Sequence, residues 1–85
     1  MSKLTHNEAM YKGSIDHIKS EIENLEYLER MFIRYRYSAN EDLWKSMRDS
    51  TREHLKELFK YHKERFEERL TITKVKRGEY YEVSS

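Results

Sequence analysis

The fold of this chain follows from residues 15–28, which read IDHIKSEIENLEYL. Apolar side chains recur there at steps of three and four residues, and the spacing continues beyond this segment. Such spacing is typical of one face of an α-helix. We therefore expect a helix from about Ser14 to Tyr37. Its apolar stripe consists of Ile15, Ile18, Ile22, Leu25, Leu28, Phe32 and Tyr35.

A second apolar stripe begins after a break at residues 37–41. Its members are again three or four residues apart: Trp44, Met47, Thr51, Leu55, Leu58, His62 and Phe66. Ser38 and Glu41 have the spacing of a capping box, and Asn40 is an alternative N-cap. We expect the second helix to run from about Asn40 to Arg69. Because the connection is so short, the two helices should form an antiparallel hairpin.

The N-terminal segment, residues 1–13, is open to two interpretations. Thr5 and Glu8 match a capping box, which predicts the start of a helix. Gly13 then weakens a helix by about 1 kcal/mol relative to alanine. The segment is either a separate arm or short helix, or it continues the first long helix.

The C-terminal segment, residues 70–85, has a different pattern. Residues 70–76, LTITKVK, alternate apolar and polar side chains and are rich in β-branched residues, which indicates a strand. Gly78 lies where the chain can turn, and residues 80–83 can pair back. We expect this tail to form a small β-hairpin or to become ordered only on binding, because an isolated two-stranded hairpin is marginal in water. The chain thus divides into an N-terminal arm (1–13), a helical hairpin (14–69) and a C-terminal tail (70–85).

Composition limits both the fold and the function. The chain has 85 residues, two glycines, no proline and no cysteine. Few glycines and prolines favour long helices, so we expect an all-α fold. Without cysteine there is no disulfide, no thiolate zinc site and no cysteine nucleophile. The longest apolar run, residues 31–33, is too short to span a bilayer, and we expect a cytoplasmic protein with no membrane partner.

Two amphipathic helices of this size bury little apolar surface by themselves. A single core below about 70–80 residues rarely supplies more than about 3–5 kcal/mol. We therefore expect the hairpin to form a homodimer, a four-helix bundle, or to complete its core on another protein. His62 interrupts the second stripe, either as a half-buried, hydrogen-bonded core residue or as an alignment device or pH-sensitive dimer contact. The two stripes predict the dimer or partner interface: Ile18, Ile22, Leu25, Phe32, Trp44, Met47, Leu55, Leu58, His62 and Phe66.

No catalytic or metal-binding set stands out in the sequence. None of the four histidines has the Glu-x-x-His pattern of carboxylate metal sites in helical bundles. A Ser-His-Asp set, a glycine-rich phosphate loop and a paired-carboxylate pocket are likewise not visible. We expect a protein with no cofactor, no metal, no catalytic residues and no small-molecule substrate.

One segment resembles a known catalytic signature. Residues 48–54, RDSTREH, resemble the R-x(4–6)-H signature of HEPN-type helical ribonucleases, in which the arginine and the histidine act on the scissile phosphodiester. The resemblance implies that Arg48 and His54 form such a pair. On a continuous helix, however, the six-residue step rotates the two side chains about 600° apart and onto different faces. An HEPN-like ribonuclease is therefore a distant alternative.

Two groups of basic residues suggest contact with nucleic acid or with an acidic partner. Arginine beside aromatic rings suits phosphate contacts and base stacking. The same charges also complement the end of a helix dipole and protect an edge strand. The 17 basic and 16 acidic residues give a net charge of only +1, so nucleic-acid binding is the alternative. The first group comprises Arg30, Arg34, Arg36, Tyr35 and Tyr37, and the second, in the tail, comprises Lys74, Lys76 and Arg77.

The main expectation is a small non-enzymatic protein that binds another protein as a regulator, adaptor or inhibitor. A rigid helical face, or the tail added to the edge of a partner's sheet, would block or bridge that partner. Compact modules of this kind include regulators and inhibitors encoded by phages and other mobile elements. That last association concerns the class of protein and comes from no particular residue.

Overall fold

Two long helices and one short helix make up the fold of residues 4–83. The structure, a computed structural model, describes residues 4–83. Helices α1 (His6–Arg34) and α2 (Glu41–Phe66) pack side by side as an antiparallel hairpin, and α3 (Ile72–Lys76) packs on α1. No strand is present between residues 4 and 83. The all-α hairpin that the apolar spacing predicted is confirmed.

Helix α1 begins earlier than the apolar stripe. The Thr5 hydroxyl accepts a hydrogen bond from the Glu8 N–H at 3.1 Å, and the Glu8 carboxylate accepts one from the Thr5 N–H at 3.1 Å. This is the predicted capping box. The helix continues through Gly13, so residues 6–13 are part of α1. The first three residues of the predicted arm and the last two of the predicted tail lie outside the described residues.

The turn between the long helices is held by two side chains. The Ser38 hydroxyl donates to the Tyr35 carbonyl at 2.5 Å, and the Glu41 carboxylate accepts from the Tyr37 N–H at 3.1 Å. Tyr37 has a φ of 67°, a left-handed conformation that tyrosine rarely adopts. Asn40 is the N-cap of α2, but its side chain makes no capping hydrogen bond. Ser38 and Glu41 therefore stabilise the turn itself and do not form the predicted capping box.

Helix α2 ends earlier than predicted. Its last residue is Phe66, whereas the stripe and charge pattern predicted Arg69. Glu67 adopts a left-handed conformation with a φ of 54°, which ends the helix and redirects the chain. The described residues after α2, 67–83, then turn back toward α1. They begin three residues before the predicted tail, and we call this segment the tail from here on.

The tail forms no β-hairpin, so the strand predicted for residues 70–76 is wrong. The Thr71 hydroxyl instead accepts from the Lys74 N–H at 3.1 Å and caps α3. Val75 is only 4% exposed, because α3 presses it against α1. The strand preference of β-branched residues depends strongly on context, and here a cap and a buried contact outweigh it.

The core lies in the half of the hairpin away from the turn, which we name the closed half. The tail covers one side of it, where Val75 and Lys76 line a groove with Ile22 and Glu26 of α1. Leu28, nearer the turn, is also buried but lies outside this connected core. The buried apolar residues of the core are Tyr11, Ile15, Ile18, Ile22, Leu25, Leu55, Leu70 and Val75.

The other half of the hairpin has no third layer within residues 4–83. The molecule is consequently elongated, with dimensions of 52 × 26 × 19 Å. Between residues 4 and 83, no helix combines the length and the hydropathy needed to cross a bilayer.

Candidate functional site

A buried polar network attaches the tail to the hairpin in the closed half. His62 has 0% exposure, and its Nδ1 lies 2.8 Å from Ser14 Oγ while its Nε2 lies 2.8 Å from Glu68 Oε1. The Tyr11 hydroxyl donates to the same carboxylate oxygen at 2.6 Å. The backbone N–H of Tyr81 in turn donates to the Tyr11 hydroxyl at 2.9 Å. The network therefore joins α1, α2 and both ends of the tail.

The charges of this network follow from its hydrogen bonds. Burial raises the pKa of Tyr11, and the hydrogen bond to the Glu68 carboxylate raises it further. Burial also tends to raise the pKa of Glu68, but the hydrogen bonds from Tyr11 and His62 together outweigh it and lower that pKa. Glu68 is thus held as a carboxylate and Tyr11 as a neutral phenol. Since the carboxylate can only accept, His62 Nε2 carries a proton.

We assign this network to the attachment of the tail. A hydroxyl, an imidazole and a carboxylate also occur in hydrolytic triads. Here, however, the rings of Tyr11 and Phe66 enclose His62, with centroids 5.2 and 4.9 Å from its own. Each hydrogen bond of the network also joins two different elements of the fold. His62 is therefore a hydrogen-bonded core residue, as the first of the two alternatives predicted, but it is fully buried and not half-buried.

The side of the hairpin opposite the tail has no third layer within residues 4–83, and we name it the open face. At its centre, His54 Nδ1 lies 2.9 Å from Glu21 Oε2, and the His54 ring lies 5.7 Å from that of His17. Lys19, which lines the groove beside the end of the tail, is about 200° of helical rotation from His17. The tail thus covers the side of α1 that carries Lys19 and leaves the side that carries His17 uncovered.

The two ends of the open face differ in shape. Toward the turn, Leu43 is 57% exposed and Met47 is 41% exposed, so both side chains project from α2. Beside them, the Tyr27 ring meets the Trp44 ring edge-on at 6.4 Å. The other end is a groove of about 320 Å³. It is lined by Ala9, Met10, Gly13, Ser14, His17, Leu58, Tyr61 and Arg65.

The turn and the adjoining helix ends, residues 30–48, form the tip of the hairpin. Aromatic contacts join the two helices there. The Tyr35 ring stacks on the Trp44 ring at 5.8 Å and 12°, and the Arg48 guanidinium lies 4.5 Å from the centroid of the Phe32 ring. Of the aromatic residues predicted for base stacking, Tyr35 is therefore already stacked within the chain.

The outside of the tip combines apolar and positively charged groups. Ile33 is 67% exposed and Tyr37 is 85% exposed, with the Arg36 guanidinium 5.4 Å from the Tyr37 ring. Five basic and two acidic residues lie between residues 30 and 48. The predicted group of three exposed arginines belongs to this surface: Arg30, Arg34 and Arg36.

The second predicted basic group lies along the closed half and not at the tip. Lys76 forms an ion pair with Glu26, and Arg77 lies 4.0 Å from Glu79. Lys74 donates to a backbone carbonyl of the tail at 3.3 Å. The three positive charges of this group thus face acidic or carbonyl oxygens of this chain.

The predicted interface residues fall into two groups. Five are buried in the core of the chain itself, and five keep exposed surface that a partner can reach. The buried group comprises Ile18, Ile22, Leu25, Leu55 and His62. The accessible group comprises Phe32, Trp44, Met47, Leu58 and Phe66.

Arg48 and His54 do not form a common site. Arg48 bonds Asp49 at 2.9 and 3.1 Å and lies over the Phe32 ring. His54 instead contacts Glu21 on the open face. Arg48 and His54 therefore bond different partners within the chain. No group of three or more His, Asp or Glu side chains between residues 4 and 83 is arranged to hold a metal ion.

The sequence analysis missed the partners of His62 and the centre of the open face. Ser14 and Glu68 come together with His62 only through tertiary packing, and Ser14 is 48 residues away in the sequence. A signal for the open face was present, since Met47, His54 and Tyr61 are seven residues apart and so share one helical face. Comparisons with protein-family models, curated proteins and solved structures found no match for this chain.

Proposed function

We propose that this protein is a small non-enzymatic interaction module that binds another protein through the tip and thereby regulates, inhibits or links it. The observation that carries the proposal is the outside of the tip. Ile33 and Tyr37 are among the most exposed large apolar side chains, and they stand among three arginines. Aromatic and arginine side chains are enriched at protein interfaces and dominate their energetics.

The charge of the tip indicates the chemistry of the partner. Five basic against two acidic residues favour an acidic surface, because opposite potentials steer association and fix its register. The exposed Ile33 and Tyr37 side chains favour an apolar patch at the centre of that surface. The partner is therefore a protein segment or face that carries carboxylates around apolar side chains.

We further propose the homodimer that the shortage of core suggested. The tail completes the core on one side of the closed half, and the open face keeps apolar side chains exposed on the other. Tyr27, Leu43, Met47 and Tyr61 on this face are each at least 41% exposed. Pairing two open faces would bury them in a four-helix arrangement.

The test of the tip uses the full chain as bait in a pull-down from its native host. The captured protein is then identified and purified, and its affinity for three versions of the chain is measured by calorimetry. The first is the wild type, the second carries Arg34→Ala with Arg36→Ala, and the third carries Lys56→Ala with Lys60→Ala. The third version removes the same charge from exposed positions of α2 outside the tip.

We expect the tip variant to bind at least about tenfold more weakly, as for the loss of central interface residues, and the control to bind like the wild type. A second tip variant, Ile33→Ser with Tyr37→Ser, should weaken binding similarly without the loss of charge. Equal affinity of the wild type and both tip variants would show that the tip is not the binding surface.

Nucleic-acid binding is the second candidate, favoured by the 85% exposed Tyr37 ring beside Arg36. Fluorescence anisotropy with labelled single-stranded RNA and DNA tests it between about 50 and about 200 mM salt. If the tip binds phosphates, affinity falls steeply over that range, and Arg34→Ala with Arg36→Ala weakens binding for every sequence. A flat salt response would exclude this candidate.

A further inference from the structure

On the open face, two apolar side chains of α2 are placed symmetrically on either side of His54. Met47 lies seven residues before His54 and Tyr61 lies seven residues after it, so the three side chains share one side of the helix. Met47 is 41% exposed, Tyr61 is 52% exposed, and the side chain of His54 is 50% exposed. A polar centre is thus flanked at equal distances of about 10 Å by two apolar side chains.

The helix dipoles favour an antiparallel arrangement of two paired α2 helices. When the two helices pair antiparallel about His54, the positive start of each dipole lies beside the negative end of the other, whereas parallel pairing places like ends together. Most charged side chains at the ends of α2 lie off the open face; Lys63, for example, is about 180° of helical rotation from His54.

The shapes of the two ends complement each other in the same arrangement. A rotation of 180° about His54 brings the projecting Leu43 and Met47 of one copy over the groove beside Leu58 and Tyr61 of the other. Projecting side chains that enter holes between facing side chains are the packing mode of helical bundles.

The area of the open face is sufficient for a specific contact. From Leu43 to Tyr61 the face is about 27 Å long, and two adjacent helices are about 20 Å wide. Two copies therefore bury about 1,000 Å² in total, which is the lower limit for a specific interface. This contact suits a reversible homodimer that forms between folded chains.

We propose that the open face binds a second copy of this chain, antiparallel, with a two-fold axis that passes between the two His54 side chains. This inference rests on the homodimer put forward above and specifies its face, its orientation and its axis. Leu43 and Met47 of the tip take part in this contact, but the outside of the tip, with Ile33, Tyr37 and the three arginines, does not. That outer surface therefore remains available for the partner proposed for it.

Engineered cysteines test the axis, because the chain has no cysteine of its own. Helices that pack 8–10 Å apart bring facing Cα atoms within about 4–6 Å, which a disulfide can bridge. His54→Cys should cross-link to itself under mild oxidation. Met47→Cys and Tyr61→Cys should cross-link with each other when mixed, but neither with itself. Lys60→Cys, an exposed position of α2 off the open face, is the control.

Light scattering of the purified wild type should give about twice the chain mass of 10.5 kDa. His54→Cys should cross-link about tenfold faster than Lys60→Cys, because the dimer raises the effective thiol concentration. Self-cross-linking of Met47→Cys and of Tyr61→Cys, without the mixed product, would indicate parallel pairing and overturn the inference. A dimer in which Lys60→Cys reacts fastest would place the contact elsewhere and leave only the homodimer proposal.

A wild-type chain that scatters as a 10.5 kDa monomer at high micromolar concentration would contradict both the homodimer and its axis. Binding of an acidic partner at the tip would be untouched by that result, because it is measured on the arginine variants of the tip. An experiment can therefore contradict the homodimer without contradicting the binding of a partner at the tip.

Discussion

At the scale of single residues, His62 combines complete burial with full use of its polar atoms. Both ring nitrogens are hydrogen-bonded, to Ser14 and to Glu68, while the ring itself packs among Tyr11 and Phe66. A buried polar group is tolerated only when its hydrogen bonds are made, and it then specifies one arrangement of its neighbours. His62 therefore defines how the tail meets the hairpin.

Replacement of Tyr11 tests the tail contact directly. Tyr11→Phe keeps the ring but removes the hydroxyl that donates to Glu68 and accepts from the Tyr81 N–H. We expect the free energy of unfolding to fall by about 1.5–3 kcal/mol, as for hydrogen bonds to charged groups. Urea denaturation measures this loss. Tyr37→Phe, which alters an exposed hydroxyl at the tip, should change the stability by less than about 0.5 kcal/mol.

His62→Phe keeps an aromatic ring of similar size but removes both nitrogens. The Ser14 hydroxyl and the Glu68 carboxylate each lose a partner, and we expect a loss of about 1–3 kcal/mol for each group left unsatisfied. Thermal unfolding compared with the exposed control His6→Phe measures the effect. Equal melting temperatures of the two variants would show that the hydrogen bonds of His62 contribute nothing.

The network also predicts how stability depends on pH. The pKa of Glu68 is lowered by folding, so its contribution is present above the ordinary value of 4.5 and is lost as the pH falls below it. The pKa of Tyr11 is raised, so the folded chain holds that proton more tightly, and stability falls as the pH rises above the ordinary value of 10.0. Unfolding free energies measured at acidic, neutral and alkaline pH should therefore be highest at neutral pH.

Single substitutions distinguish the acidic arm of this profile, where stability falls at low pH, from the alkaline arm, where it falls at high pH. Glu68→Gln should make stability less dependent on pH in the acidic arm, and Tyr11→Phe should do so in the alkaline arm. Lys19 acts in the same direction at alkaline pH, because a hydrogen bond with Tyr80 raises its pKa, so part of the alkaline decline should persist in Tyr11→Phe. An unchanged acidic arm in Glu68→Gln would contradict the assignment.

At the scale of elements, the long helices were predictable and the tail was not. The stripe from Ile15 to Phe32 repeats over many turns, and its period alone identifies a helix. The end of a helix depends on single residues. Helix α2 ends at Phe66 because Glu67 adopts a left-handed backbone conformation. The spacing of the apolar stripe gives no indication of that conformation. The five residues of α3 are too few for a period to show, so the alternation around Val75 indicated a strand.

The cap of α3 is a matched test of the tail. Thr71→Ala removes the hydroxyl that accepts from the Lys74 N–H and should cost about 1 kcal/mol. Thr73→Ala, in the same helix with an exposed side chain, is the control. Limited proteolysis at the lysines and arginines of the tail reports the loss, and we expect faster cleavage in Thr71→Ala only. Equal cleavage rates would show that this cap does not hold α3 in place.

At the scale of the whole molecule, the chain separates a stable half from an exposed half. The apolar side chains of α1 between Tyr11 and Leu25 are buried against α2 and the tail. At the tip, the two helices are joined by the aromatic contacts of Trp44 and Phe32. The spacing of the two apolar stripes predicted that the long helices alone have a small core. It did not predict that the tail supplies part of the core, because the contacts of Tyr11 with the tail span more than 50 residues.

Hydrogen exchange should reveal this division. Stability is uneven where buried contacts are uneven, and weakly packed regions open at lower free energy. We expect backbone amides of residues 15–28 and 51–62 to exchange more slowly than helical amides of residues 30–34 and 42–47. Mass spectrometry of the exchanged protein measures both sets in one sample. Equal protection at both ends would contradict the division into a closed half and a tip.

The hydrogen bond from Tyr81 to Tyr11 has a consequence for the order of folding. It joins residues 70 apart, whereas the turn joins α1 and α2 within a few residues. The entropy cost of closing a loop rises with its length, and distant contacts form slowly. The hairpin should therefore assemble first around its turn, and docking of the tail should be the last step. The last region to assemble is then the most stable one, and the tip is among the first to take shape.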